Sequence, residues 1–144
     1  MGPALPAAIA LKLVHPDRTI AALAGDGGFV MNMQDLETAM RLKLDLIIII
    51  MNDNGLGMIR MKQVNDGYGN LGVDFSNPDF IKLAESFGAK GYRIENTADL
   101  PNILNQAKVS GGIHIIDVPV DYRENKALFQ EIMMPKPKCE DFFN

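Results

Sequence analysis

The most apolar stretch of the chain, Leu46-Ile47-Ile48-Ile49-Ile50-Met51, is continuous rather than alternating. A strand with one wet face alternates apolar and polar positions, so this run predicts a strand covered on both faces. Upstream, the pattern predicts a helix over Ala4 to Val14, stopped before His15-Pro16, and a strand from Thr19 to Ala24. Asn32 stands where it can cap a second helix, with Asp35 three residues on as a weak capping-box partner and Leu36, Ala39 and Met40 as its apolar face. Downstream, Asn77-Pro78 reads as a cap with proline at the first helical position, and Phe80, Leu83, Ala84 and Phe87 recur at helical spacing up to Gly88. A strand at Gly91 to Ile94, a helix with Leu100, Ile103, Leu104 and Ala107 on one face, and a strand at Ile113 to Val118 complete the alternation.

Repeated β-α units imply an α/β fold: a three-layer, doubly wound, mostly parallel sheet with helices on both faces. Such sheets bind ligands beyond the carboxyl ends of their strands. The polar stretch Gln63 to Ser76, with glycine and asparagine on both sides of Tyr68, is expected to be a mobile loop near that end. Residues 1–125 are expected to form the single binding domain, and 126–144 a C-terminal extension with a short helix around Lys126 to Met133 and an irregular tail through Pro135-Lys136-Pro137-Lys138. No internal repeat is present.

With 144 residues the chain matches one ordinary domain and is long enough to bury a core. Fourteen basic against 18 acidic residues give a net charge of -4, without the basic footprint of a nucleic-acid or anionic-membrane binder. The run at Leu46 is too short to span a bilayer and no leader pattern is visible, so a cytoplasmic protein is expected. The lone Cys139, in a polar tail, has no partner for a disulfide or metal. His15 and His114 lack metal-ligand spacing and are expected at a helix end and on a strand face, while the nine methionines are expected to fill the core. Glu85, Glu95 and Glu124 read as solvated charges.

The chemistry concentrates in two glycine-flanked acidic turns, Gly25-Asp26-Gly27-Gly28 and Asp53-Asn54-Gly55-Leu56-Gly57, at opposite ends of a helix and the apolar strand. Mg²⁺ prefers one or two carboxylates together with substrate phosphate oxygens and water. Asp26 and Asp53 can supply the carboxylates. Gly25, Gly27 and Gly28 remove side chains where backbone N–H groups would approach a phosphate, and a following helix turns its positive end the same way. A Gly-Asp-Gly turn alone serves equally as a helix cap; the spaced pair is what points to a metal-held diphosphate.

The pair resembles the thiamin-diphosphate motif, in which a GDG is followed about 27 positions later by a second Asn- or Asp-containing turn. The resemblance extends to Met1-Gly2-Pro3-Ala4-Leu5-Pro6, Gly57-Met58-Ile59, Asn77-Pro78-Asp79-Phe80, Glu85-Ser86-Phe87-Gly88-Ala89 and Val118-Pro119-Val120-Asp121-Tyr122-Arg123-Glu124-Asn125. Together these are similar to the C-terminal, diphosphate-binding domain of the acetolactate synthase family over most of the chain. The resemblance implies thiamin diphosphate and Mg²⁺ as cofactors, with Asp26, Asp53 and the main chain of Gly55 as metal ligands. Leu56, Gly57, Met58 and Ile59 would border the cofactor, and Met1 would be the apolar wedge beneath its two rings. Asp53 stands where Asn is commoner, as in the catabolic branch, and Lys62 where relatives carry a side chain that shapes substrate choice.

What the resemblance implies for activity is decarboxylation of pyruvate and condensation with a second 2-oxo acid. The family's activating glutamate belongs to a pyrimidine-binding domain that no residue here matches, so no catalytic residue is assigned, and inactivity alone and a homo-oligomer are expected. Alternatives are a non-catalytic remnant or metal-diphosphate binding module, or a domain of another 2-oxo-acid decarboxylase or oxidase of the same family. A Rossmann nucleotide site is disfavoured, because the first strand is not followed by G-x-G-x-x-G and the turn carries an acid where a pyrophosphate would sit.

Overall fold

The computed structural model describes residues 1–122. The expected helix at Lys126 to Met133, the tail, Cys139 and Glu124 lie outside the described residues. Strands β1 (Ala21–Gly25), β2 (Leu46–Asn52), β3 (Lys90–Arg93) and β4 (Ile113–Pro119) form one sheet in the order β1-β2-β4-β3. Every pairing is parallel. The helices are α1 (Ala4–Val14), α2 (Asp26–Val30), α3 (Leu36–Arg41), α4 (Gly57–Asn65), α5 (Phe80–Ser86) and α6 (Leu100–Ser110), with single 3-10 turns at Met33–Asp35 and Thr97–Asp99.

The unbroken apolar run in β2 is explained by two cores. Leu46, Ile48 and Ile50 pack with Leu5, Ile9, Phe29, Leu36, Phe80 and Ala84 on one face of the sheet, the side of α1, α2, α3 and α5. Ile47 and Ile49 face the other way, against Ile116, Ile94, Ala107 and the apolar side of α6. Successive strand residues point to opposite faces, so a strand between two helical layers needs an apolar residue at every position. The three-layer architecture is therefore as the sequence implies. Where β3 meets α5, the chain approaches so closely that a Cβ on Gly91 would stand 2.7 Å from the Ile81 Cα.

Three local expectations are corrected. Asn32 makes no capping bond: α2 begins directly after β1 and is separated from α3 by the 3-10 turn, while the Asn32 Nδ2 donates to the Gly2 carbonyl over 2.7 Å. Asn77 does not cap α5; Asp79 does, its Oδ1 accepting from the N–H groups of Ile81 and Lys82 at 3.1 Å. The methionines among the described residues only partly serve the core: Met33 and Met40 pack against it, whereas Met1, Met51, Met58 and Met61 line a cleft. Hydropathy alone cannot separate these destinations, because an apolar residue serves a cleft as well as a core.

The stretch after α4 is tied down in places. Gln63 already belongs to α4, and its side chain bonds both the N–H and the carbonyl of Leu71, at 3.2 and 3.0 Å. Val73 is buried and its carbonyl accepts from the Leu56 N–H over 2.8 Å. Gly55 and Asp74 form an antiparallel bridge, so this segment packs directly on the second acidic turn.

Candidate functional site

Register places the two acidic turns side by side. Gly25 pairs with Met51 at the carboxyl ends of β1 and β2, so Asp26 and Asp53 emerge from neighbouring strands at the same end of the sheet. All eleven residues expected to touch the cofactor (Met1, Gly25, Asp26, Gly27, Gly28, Asp53, Gly55, Leu56, Gly57, Met58 and Ile59) line a single cleft of about 1040 Å³. Lys62 does not line it; its ammonium lies 4.0 Å from Asp66 on the outer side of α4. His114 is fully buried in β4 and bonded to the Tyr92 hydroxyl and the Ser110 hydroxyl, both at 3.1 Å, away from the cleft.

Asp26 is buried, yet its charge is well solvated by the chain. The Gly27 N–H donates to Oδ1 over 2.8 Å, and the Gly55 N–H and the Asn77 amide donate to Oδ2 over 3.2 and 2.7 Å. A carboxylate has roughly four lone-pair sites, so about one remains for a cation. Asp53 is less comfortable. Burial, and then the negative charge of Asp26, push its carboxyl above the usual range, while the Arg60 guanidinium, 3.5 Å away, pulls the other way. The Tyr122 phenol shares this field: burial first, then Asp53 and Asp26, hold it above its ordinary value and therefore protonated.

The glycines have distinct roles. At Gly25 and Gly28 a Cβ would meet nothing closer than the Gly2 nitrogen at 3.8 Å from Gly28, which leaves the open approach a phosphate needs. At Gly27 a Cβ would come within 2.7 Å of the end of the Leu56 side chain and 3.2 Å of the Phe75 ring, so a side chain there would make both shift. At Gly57 a Cβ would collide with the Asp53 carboxylate. The helix behind the first turn, α2, spans five residues, so its dipole contributes little beyond the local N–H groups.

The donor set suits a magnesium diphosphate better than a metal held by protein alone. Among the described residues no group of three or more His, Cys, Asp or Glu side chains could hold a metal ion. The two carboxylates and one main-chain carbonyl that the resemblance implies as ligands would leave coordination positions open for phosphate oxygens and water. The rest of the cleft is mostly apolar, with Leu23, Met51, Met58, Ile59, Met61 and Val64 in its lining beside Arg60, Asn65, Asp121 and Tyr122. Such a cavity, with a few polar groups at one end, matches a ligand that is charged at one end and aromatic along its length.

Sequence reasoning did not find several contributors. Asn77 ties the turns together, donating to Asp26 and to the Asn52 Oδ1 at 2.9 Å. Asn52 in turn donates to Asp117 over 2.9 Å, and Arg93 donates to the same carboxylate over 2.7 Å. Asp117 at the end of an apolar strand was the available signal, because a buried acid must be paired. Arg60 carried no comparable mark.

Comparison with known proteins agrees with this geometry. Residues 1–118 match the family model described as "Thiamine pyrophosphate enzyme, C-terminal TPP binding domain". The chain is 43% identical over 125 residues to an acetolactate synthase of Bacillus subtilis, covering 87% of this chain and 22% of that protein. It is 39% identical over 132 residues to a catabolic acetolactate synthase of Raoultella terrigena, covering 92% of this chain and 24% of that protein. To the large subunit of acetolactate synthase from Haemophilus influenzae it is 34% identical over 150 residues, covering 97% and 26%. The chain thus spans about a quarter or less of the length of these relatives. A match over this share of the chain, on a parallel sheet whose strand ends carry both acidic turns, assigns it to the C-terminal thiamine-pyrophosphate-binding domain family of the thiamine pyrophosphate enzymes.

Proposed function

We propose that the chain anchors thiamin diphosphate through a Mg²⁺ ion held by Asp26, Asp53 and the Gly55 carbonyl, as one domain of an acetolactate synthase-like carboligase. The observation that carries this reading is the position of the Asp26 and Asp53 turns at neighbouring strand ends, beside one cleft whose remaining lining is mostly apolar. When bound, the cofactor supplies an electron sink for decarboxylating a 2-oxo acid such as pyruvate and joining the product to a second 2-oxo acid. The chain's own residues bind and orient. Asp26 and Asp53 offset the charge of the metal, open space at Gly25 and Gly28 admits the phosphates, and Leu56, Met58 and Ile59 exclude water along the apolar wall. Met1, an exposed residue lining the same cleft, would pack beneath the rings.

The activating glutamate is assigned to a pyrimidine-binding domain of the same or another chain, so this domain alone would not turn over. Met58, Ile59 and Leu23 are exposed by 53%, 41% and 66%, which supports a covering partner for the cleft, including a second copy of the chain. No helix among the described residues is long and apolar enough to cross a membrane. Competition between thiamin diphosphate and thiamin tests the anchoring. Saturable binding of the diphosphate, with thiamin at least about 100-fold weaker, fits loss of a charged, metal-bridged contact of about 2.7 kcal/mol or more. Equal affinity for the two would contradict it.

A further inference from the structure

We propose that Asn77 is a positioning residue for the metal, fixing the geometry between the Asp26 carboxylate and the Asp53 turn. The inference rests on the magnesium-diphosphate reading and assigns a role to a residue that does not itself line the cleft. The Asn77 Nδ2 is surrounded by acceptors: Asp26 Oδ2 at 2.7 Å, Asn52 Oδ1 at 2.9 Å and Asn54 Oδ1 at 3.4 Å. An amide nitrogen has two hydrogens, and the two short contacts take them. One hydrogen thus goes to the carboxylate after β1 and the other to the residue immediately before Asp53. Reversing the amide would set its oxygen against three acceptors, so the orientation is fixed by chemistry.

The same link is braced from behind. The Asn52 Oδ1 also accepts from the Asn54 N–H over 3.2 Å, while its Nδ2 donates to Asp117, itself held by Arg93. A rail of hydrogen bonds therefore crosses the carboxyl ends of all four strands, from Asp26 to Arg93, and Asn77 is its joint at the site. The Asn77 Oδ1 is buried without a hydrogen-bond partner among the described residues, a cost borne on one side of an amide whose other side holds two strand ends in place. Residues that hold ligands from behind typically contribute about 10- to 100-fold to metal affinity.

The choice of metal separates positioning from simple folding support. Mg²⁺ demands near-ideal octahedral geometry, whereas Ca²⁺ accepts variable geometry and coordination number. In calorimetric titrations of thiamin diphosphate against Asn77→Ala, binding supported by Mg²⁺ should weaken about 10- to 100-fold. Binding supported by Ca²⁺ should weaken by no more than about threefold, because its shell adapts to a rotated carboxylate. Asn77→Ser, which keeps a short donor, should recover part of the Mg²⁺ preference and serves in place of the alanine variant should that variant melt below the assay temperature. Equal losses with both metals, or no loss with either, would overturn the positioning role while leaving the anchoring intact. Absence of binding by the wild type with either metal would overturn the anchoring itself, and the role of Asn77 with it.

Discussion

The Arg60 guanidinium stands 3.5 Å from the Asp53 carboxylate and 2.6 Å from that of Asp74, so one cation bridges a proposed metal ligand and the segment packed on its turn. Arg60 is the cation beside Asp53 among the described residues, and it does not prevail: burial, and then the Asp26 charge, still raise the Asp53 pKa.

A pH dependence follows from the sign of that shift. A carboxyl whose folded pKa lies above its unfolded value adds stability while protonated, fully so below the unfolded pKa, and loses it as pH rises through the folded pKa. The metal-free chain therefore carries a penalty at neutral pH from charged Asp53, and Asp53→Asn should remove it. Thermal melts in excess chelator should show the variant melting above the wild type at pH 7, with the gap closing toward the ordinary carboxylate range near ~4. An unchanged or lowered melting temperature at pH 7 would show that Asp53 is not penalised in the metal-free fold.

The approach of α5 to β3 gives a packing prediction independent of any ligand. At Gly91 an added methyl would press on the Ile81 backbone, whereas at Gly69 it would meet nothing within 4 Å. Gly91→Ala should cost about 1–3 kcal/mol in urea unfolding. Gly69→Ala should stay within about 0.5 kcal/mol of wild type. Equal effects at the two positions would mean that the β3 contact is looser than described.

Much of this fold was legible because its signal is local. The run from Leu46 to Met51 announces a strand between two cores, and the structure divides Leu46 to Ile50 alternately between those cores and leaves Met51 to the cleft. The α1 boundaries follow from the same kind of evidence, ending at Val14 before His15-Pro16. Polar residues were harder. Asn32 and Asn77 both satisfy the helix-cap rule, yet each makes its bonds to a distant segment: Asn77 reaches Asp26, 51 positions away, and Asn32 reaches Gly2, 30 positions away. Capping preferences describe what a side chain can do with its own neighbours, and here tertiary partners competed successfully. In the case of α5 the rule was satisfied two residues later, by Asp79. Both carboxylates of the candidate site could be named from the spacing of the two turns, whereas the Asn77 amide between them was visible only in three dimensions.

The exposed apolar wall predicts association and inactivity together. Met58, Ile59 and Val64 project from α4 beside the cleft, and contact with a second copy would cover them. Sedimentation velocity should show a dimer or larger species, moved toward monomer by Ile59→Glu. With Mg²⁺, cofactor and pyruvate present, a colour assay for acetoin after acid decarboxylation should stay blank, because no activating glutamate is assigned within the chain. A clean monomer that made acetolactate steadily would require an acid within this chain to take that role.

The central claim is the metal bridge between Asp26, Asp53 and a diphosphate, and titration calorimetry of thiamin diphosphate with Mg²⁺ or with excess chelator tests it most directly. Two carboxylates facing a diphosphate repel it unless a cation intervenes, so binding should appear with Mg²⁺ and weaken at least about 100-fold in chelator, a difference of about 2.7 kcal/mol. Asp26→Ala should abolish the Mg²⁺-dependent binding, whereas Asp53→Asn should retain it, since its amide still offers a carbonyl oxygen. Equal affinity with and without metal, or full Mg²⁺-dependent binding by Asp26→Ala, would contradict the account.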